Sequence, residues 1–145
     1  MSERWIWRCD RTIPSDTRHA RAVLQEVLDQ LAGDAWDDGD VFSVHMAAEE
    51  ALVNAVKHGN QSNIDKTIHI CCQISSQMVQ ISITDQGSGF NPEAIPDPTS
   101  PENLCREGGR GVKLMQSFMS RVQFNDLGNQ VMLEKVRGEG VRKDK

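Results

Sequence analysis

The chain has 145 residues, 38% hydrophobic and 26% charged, with 16 Lys and Arg against 21 Asp and Glu for a net charge of −5. That length suits a single domain with a core of its own, and the composition excludes a wholly disordered chain. An acidic balance excludes nonspecific nucleic-acid binding, which runs on Lys and Arg, and no apolar run approaches the roughly 20 residues that span a bilayer.

The opening "MSERWIWRCD" lacks a signal-peptide core, so the expectation is a soluble cytoplasmic protein that binds neither nucleic acid nor membrane. Within it, residues 4–9 alternate, with Trp5, Trp7 and Cys9 on one side, which predicts a short strand. Pro14, Ser15 and Asp16 then supply helix-start chemistry, Val23, Leu24, Val27, Leu28 and Leu31 recur at helical spacing, and Gly33 ends the run. "DDGD" at 37–40 reads as a turn, with Asp40 capping a second helix from about Val41 to His58. Residues 66–75 and 78–85 are two Ile-, Val- and Thr-rich strands joined by a short polar link.

After Asp85 the composition shifts to a stretch carrying Pro92, Pro96, Pro98 and Pro101. A connection of this length inside a domain points to function. Residues 112–122 predict a helix with Val112, Leu114, Met115, Phe118, Met119 and Val122 inward, and a hairpin turning at Leu127-Gly128 closes the chain. The tail, about 138–145, is expected to be disordered. The order gives one α+β domain over residues 1–145: a two-layer sandwich whose mixed, mostly antiparallel sheet is covered by three helices. The second sheet face is left as a candidate interaction surface, with Trp5 and Trp7 candidates to sit on it.

Cys9, Cys71, Cys72 and Cys105 form no C-x-x-C pair, and no His stands at zinc-finger spacing. Cys71 and Cys72 point to opposite faces of a strand. The four read as buried or half-buried thiols rather than as a metal or disulfide set.

Three segments carry chemistry. In "EEALVNAVKHGN" (49–60), a helical wheel at about 100° per residue puts Glu50, Asn54, Lys57 and His58 opposite an apolar face of Val41, Val44, Ala48, Ala51, Leu52 and Ala55. Asn is a mediocre mid-helix residue, but its amide oxygen is a neutral ligand for Mg²⁺, and a carboxylate one turn earlier can take a proton. In "DQGSGF" (85–90), Asp85 ends a strand and can accept from an exocyclic amine, while Gly87 and Gly89 let backbone approach a ligand closely. In "REGGRGVKLM" (106–115), Gly108, Gly109 and Gly111 open a helix whose free N–H groups and positive dipole end attract phosphate, with Arg106 adding charge. Taken singly, each segment is more often a wet helix face, a turn or a hinge.

In this order and spacing, the three together resemble the GHKL superfamily of ATP-binding domains, the Bergerat or histidine-kinase-like ATPase fold, over Asp40 to Val136. Within it, "EEALVNAVKHGN", "DQGSGFNP" and "ENLCREGGRGVKLMQSFMSRV" look most like the bacterial anti-sigma-factor serine/threonine kinases of partner-switching systems. The resemblance implies ATP and Mg²⁺ as cofactors. Asn54 would hold the metal and Glu50 act as general base. Asp85 would bind adenine, with Gly87 and Gly89 shaping the pocket. Gly108, Gly109, Gly111 and Arg106 would close over the phosphates, with Lys57 and His58 beside them. It further implies a homodimer, a STAS-type anti-sigma-factor antagonist as the phosphorylated substrate, and a sigma factor as second partner. The alternative is an ATP-binding regulatory module that sequesters a partner without phosphoryl transfer.

Overall fold

The structure is a computed structural model, which describes residues 4–87 and 107–139; the side chains of residues 107–110 fall outside the description. In chain order it runs β1 (Trp5–Pro14), α1 (Thr17–Gly33), α2 (Asp38–Asn54) continuing into a π-helical segment (Ala55–Gly59), β2 (Thr67–Ser75), β3 (Met78–Thr84), α3 (Glu107–Phe118), β4 (Arg121–Phe124) and β5 (Gln130–Val136). The five strands form one sheet in the order β1-β2-β3-β5-β4, and each neighbouring pair is antiparallel. This is the two-layer α+β sandwich that the sequence predicts.

Strand alternation builds the core. Ile68, Ile70, Cys72 and Ile74 of β2, Val79, Ile81 and Ile83 of β3, and Val131 and Leu133 of β5 are all buried on one face. Against them lie Val23, Leu24, Val27, Leu28 and Leu31 of α1 and Val44, Ala47, Ala48, Ala51 and Leu52 of α2. Each such Ile or Leu contributes about 1.5–3 kcal/mol by leaving water. α1 starts where Asp16 Oδ1 accepts the Arg18 N–H at 2.8 Å, satisfying one of the orphan donors of its first turn.

The opposite sheet face is polar. Gln73 Nε2 donates to Gln80 Oε1 at 2.8 Å, and Gln80 Nε2 donates to Glu134 Oε1 at 2.7 Å, a ladder across three strands. Trp7 does not lie on that face. It packs against the core on the side of buried Cys9.

Several boundaries differ from the sequence reading. β1 reaches Pro14, because Ile13 is buried and pairs with Ile68. α2 begins at Asp38, and Asp40 is no cap: it is buried, and its Oδ2 accepts the Gly138 N–H at 2.9 Å. The helix predicted to Val122 ends at Phe118. Val122 instead sits in β4 opposite Leu133, still packed on the core, so its inward position satisfied a helical period by coincidence. Residues 140–145 of the expected tail lie outside the described residues, while Arg137 just after β5 is fastened. Arg137 Nη2 donates to the carbonyls of Asp34 and Ala35 at 3.0 and 2.8 Å, and its guanidinium lies 5.2 Å from the Trp36 ring centroid.

Candidate functional site

Two clusters take shape around the end of α2. The first joins α2 to α3. Glu50 and Asn54 stand one turn apart and half-buried, Asn54 being the last residue of regular α-helix. Asn54 Oδ1 is buried and accepts no hydrogen bond among the described residues. A buried acceptor left open costs about 1–3 kcal/mol, so the structure keeps it against its own stability. Gly111 of α3 packs onto this pair. A Cβ there would lie 2.8 Å from Asn54 Nδ2 and 2.9 Å from Glu50 Oε2, tighter than real carbons tolerate. With glycine here, both side-chain ends can stay where they are while α3 packs on them. Gly108 and Gly109 lie in the first described turn of α3, about 3–4.5 Å along the axis from Gly111.

The neighbouring Glu49 has a different task. Its Oε1 accepts from Arg21 Nε of α1 at 3.3 Å. The two adjacent carboxylates are thus divided between a helix–helix ion pair and the Gly111 contact.

The second cluster surrounds Asp85. The carboxylate Oδ1 accepts the Gly87 N–H at 2.8 Å. Gly59, the last residue of the π segment, lies so close that a Cβ on it would collide with the Asp85 carboxylate, and a Cβ on Gly87 would collide with the Gly59 carbonyl. The backbone of Asp85 is tied to the β4–β5 turn: its N–H donates to Asn129 O at 2.9 Å, and its carbonyl accepts from Asn129 Nδ2 at 3.1 Å. Burial pushes the Asp85 carboxyl above the usual carboxylate range, offset in part by the Gly87 N–H and by Lys66. A half-buried acceptor of this kind favours a donor such as an exocyclic amine.

Asn60 locks this cluster in place. It is fully buried and fully used: Nδ2 donates to Ser15 Oγ at 2.8 Å and to Thr67 O at 2.9 Å, and Oδ1 accepts the Gln86 N–H at 2.7 Å. Gln86 Oε1 accepts the Thr67 N–H at 2.7 Å. The residue that follows Asp85 is thereby pinned to the end of the α2 extension.

The structure therefore brings Glu50, Asn54 and Gly111 together, and brings Asp85 and Gly87 together. Lys57 and His58 are exposed on the π segment. Gly89 and Arg106 lie outside the described residues. Sequence reasoning missed Gly59 and Asn60. A Gly-Asn after a helix looks like an ordinary stop signal, and nothing local marks Gly59 as the seat of a carboxylate from a strand end 26 residues later.

A layer of helices on one antiparallel sheet is the architecture of the histidine-kinase-like ATPase domains, and the sequence supports that class. The sequence profile of the Histidine kinase-like ATPase domain matches residues 13–135, and the chain belongs to that family. It is similar to the serine-protein kinase RsbW of Staphylococcus epidermidis, 33% identical over 131 residues covering 84% of this chain and 80% of that protein. The serine-protein kinase RsbW of Oceanobacillus iheyensis is 33% identical over 127 residues, covering 83% of this chain and 78% of that protein. Among solved structures, the RsbU and RsbW domains of Rv1364c from Mycobacterium tuberculosis match 96% of this chain with a TM-score of 0.62 at 16% identity. That match spans 34% of the larger chain and shows the shared fold. None of the described helices is long and apolar enough to cross a membrane.

Proposed function

We propose that this protein is a Mg-ATP-dependent serine/threonine protein kinase acting as an anti-sigma factor. It phosphorylates a small STAS-type antagonist, binds a sigma factor, and works as a cytoplasmic homodimer. The observation that carries this reading is the buried Asn54 Oδ1, without a hydrogen bond among the described residues, set beside Glu50 under Gly111. The similarity to serine-protein kinases named RsbW supports the phosphoryl-transfer chemistry.

An open amide oxygen fits Mg²⁺, a hard cation that takes oxygen ligands and leaves the rest of its shell to water and phosphate. Asn54 would hold the ion, which supplies neutralising charge to the phosphates. Asp85 accepts from the adenine amine, with Gly59 and Gly87 letting backbone close around its carboxylate. The N–H groups at the start of α3, among them those of Gly108 and Gly109, face the phosphate oxygens, and Arg106 is assigned to the same charge by sequence position. Glu50 orients the incoming hydroxyl and takes its proton. Such a site works mainly by positioning and electrostatics, since the transition state of phosphoryl transfer is loose.

The test is incubation of the purified protein with γ-labelled ATP, Mg²⁺ and a panel of STAS-domain proteins. Label should pass to a serine or threonine of one of them. Glu50→Gln should keep nucleotide binding and lose about 10²–10⁴-fold in transfer, the usual contribution of a general base. Transfer by Glu50→Gln at the wild-type rate would remove the assigned role. Sigma-factor binding without label on any partner would leave a sequestering module instead.

A further inference from the structure

The outer face of the sheet carries three potential metal-ligand atoms outside the nucleotide site. Asp10 of β1 pairs directly with Cys71 of β2, and His69 lies two residues before Cys71 on the same strand face. His69 Nε2 is 2.7 Å from Asp10 Oδ1 and 3.4 Å from Cys71 Sγ, and Cys71 Sγ is 3.5 Å from Asp10 Oδ2. The three groups each offer a ligand atom, all within 4.8 Å of one another.

We propose that Asp10, His69 and Cys71 form a three-ligand site for a zinc-class divalent cation, its fourth position open to solvent on the outer sheet face.

The spacing is the first argument. Tetrahedral coordination by N, O and S at about 2.0–2.3 Å puts neighbouring ligand atoms about 3.3–3.6 Å apart. The two distances to sulfur fall in that range as they stand. The short Asp10–His69 contact is a hydrogen bond that a small carboxylate rotation exchanges for a metal bond. The second argument is ligand type. One imidazole, one thiolate and one carboxylate suit zinc and its neighbours, whereas Mg²⁺ prefers an all-oxygen shell. Charge is the third: a thiolate and a carboxylate together balance a divalent ion. Of the adjacent cations, Arg11 is engaged by Glu26 at 2.9 Å, and Arg8 is exposed.

Geometry keeps the ligands in place. β1 and β2 are held in register from Trp7 to Pro14 by pairing with Ile74 to Thr67, so the backbone beneath the site is rigid. Asp10 and Cys71 also line the edge of a shallow depression of about 510 Å³, with Gln80, Ser82 and Met132 beyond them. That gives the open position room for water or for a donor atom of a bound molecule. Burial and the Asp10 carboxylate both push the Cys71 thiol up from its ordinary value. Metal uptake therefore releases its proton. The spacing H-x-C alone hides the site, because the third ligand arrives across the sheet.

Cobalt(II) is the probe. Titrated into the reduced full chain in excess Mg²⁺, Co²⁺ should produce a sulfur-to-metal charge-transfer band and tetrahedral d–d bands, saturating at one equivalent and bleached by Zn²⁺. Cys71→Ser should abolish the charge-transfer band, and Cys105→Ser should leave it intact. His69→Ala should weaken Zn²⁺ binding by at least the roughly 10–100-fold that loss of even a supporting partner costs a metal site. ATP affinity should be unchanged in all three variants, which separates this site from the nucleotide site and certifies folding. The absence of a thiolate–cobalt band in folded wild-type protein, or a band that survives Cys71→Ser, overturns the proposal.

Discussion

Asp85 and Gly59 are packed so tightly that a single methyl group on Gly59 would overlap the Asp85 carboxylate. The end of the α2 extension thus sets where the acid points. Gly59→Ala is expected to displace the carboxylate, cost about 1–3 kcal/mol of stability as an overpacked site, and weaken ATP binding. Loss of one charged hydrogen bond corresponds to about 10–100-fold in affinity. Displacement of a fluorescent nucleotide, alongside denaturant melts, measures both.

Gly111→Ala separates stability from activity. Replacing a helical glycine favours the helix by about 1 kcal/mol, while the new methyl would meet the ends of the Asn54 and Glu50 side chains, which can swing aside. The expected variant has wild-type or slightly raised thermal stability and phosphoryl transfer reduced about 100-fold through misplacement. A variant of unchanged activity would show that Asn54 and Glu50 need not hold this arrangement.

Asp85 makes stability depend on pH. Burial raises its carboxyl above the unfolded value of about 3.9. A group raised on folding contributes stability that is complete below the unfolded pKa and is lost as pH rises through the folded one. At neutral pH the buried charge is therefore a cost to the nucleotide-free protein. Asp85→Asn should melt higher than wild type at neutral pH, with the advantage shrinking as pH falls into the ordinary carboxylate range, while ATP affinity falls. Melting curves at several pH values check the sign.

Asn60→Ala removes three hydrogen bonds at a fully buried position. Leaving the Gln86 N–H and the Thr67 carbonyl unsatisfied should cost about 2–6 kcal/mol, from about 1–3 kcal/mol per orphaned group. Because Gln86 follows Asp85, any folded fraction should also bind ATP more weakly. Denaturant unfolding with and without Mg-ATP measures the two effects together.

Much of this architecture could be read from residue order. The Ile and Val alternation of 66–75 and 78–85 produced β2 and β3 within a residue at each end, since each strand buries one face and leaves the other polar. The α1 stripe of Val23, Leu24, Val27, Leu28 and Leu31 lies buried as its spacing predicts. Errors arose where one residue satisfied two periods. Val122 faces the core from a strand as well as it would from a helix, and Asp40 has capping chemistry but accepts from Gly138, 98 residues away.

The candidate site was legible as types and less so as contacts. Glu50, Asn54, Asp85 and the glycines stood out because their chemistry is unusual for their positions. Gly59 and Asn60 did not, because their partners are Asp85, Gln86 and Ser15, distant in sequence and joined only by the sheet. The Asp10, His69 and Cys71 group was invisible for the same reason, being the product of strand register.

The π segment after Asn54 has a rotational consequence. A continued α-helix would carry Gly59 about 500° onward from Asn54, about 140° around from it. Wider winding, closed by the Asn60 N–H on the Ala55 carbonyl at 2.9 Å, takes about 4.4 residues for one revolution and leaves Gly59 about 50° around from Asn54. The seat of the Asp85 carboxylate and the Asn54 amide thus lie closer in direction than a continued α-helix would place them. Deleting a single residue between them would leave both clusters chemically complete and aimed apart.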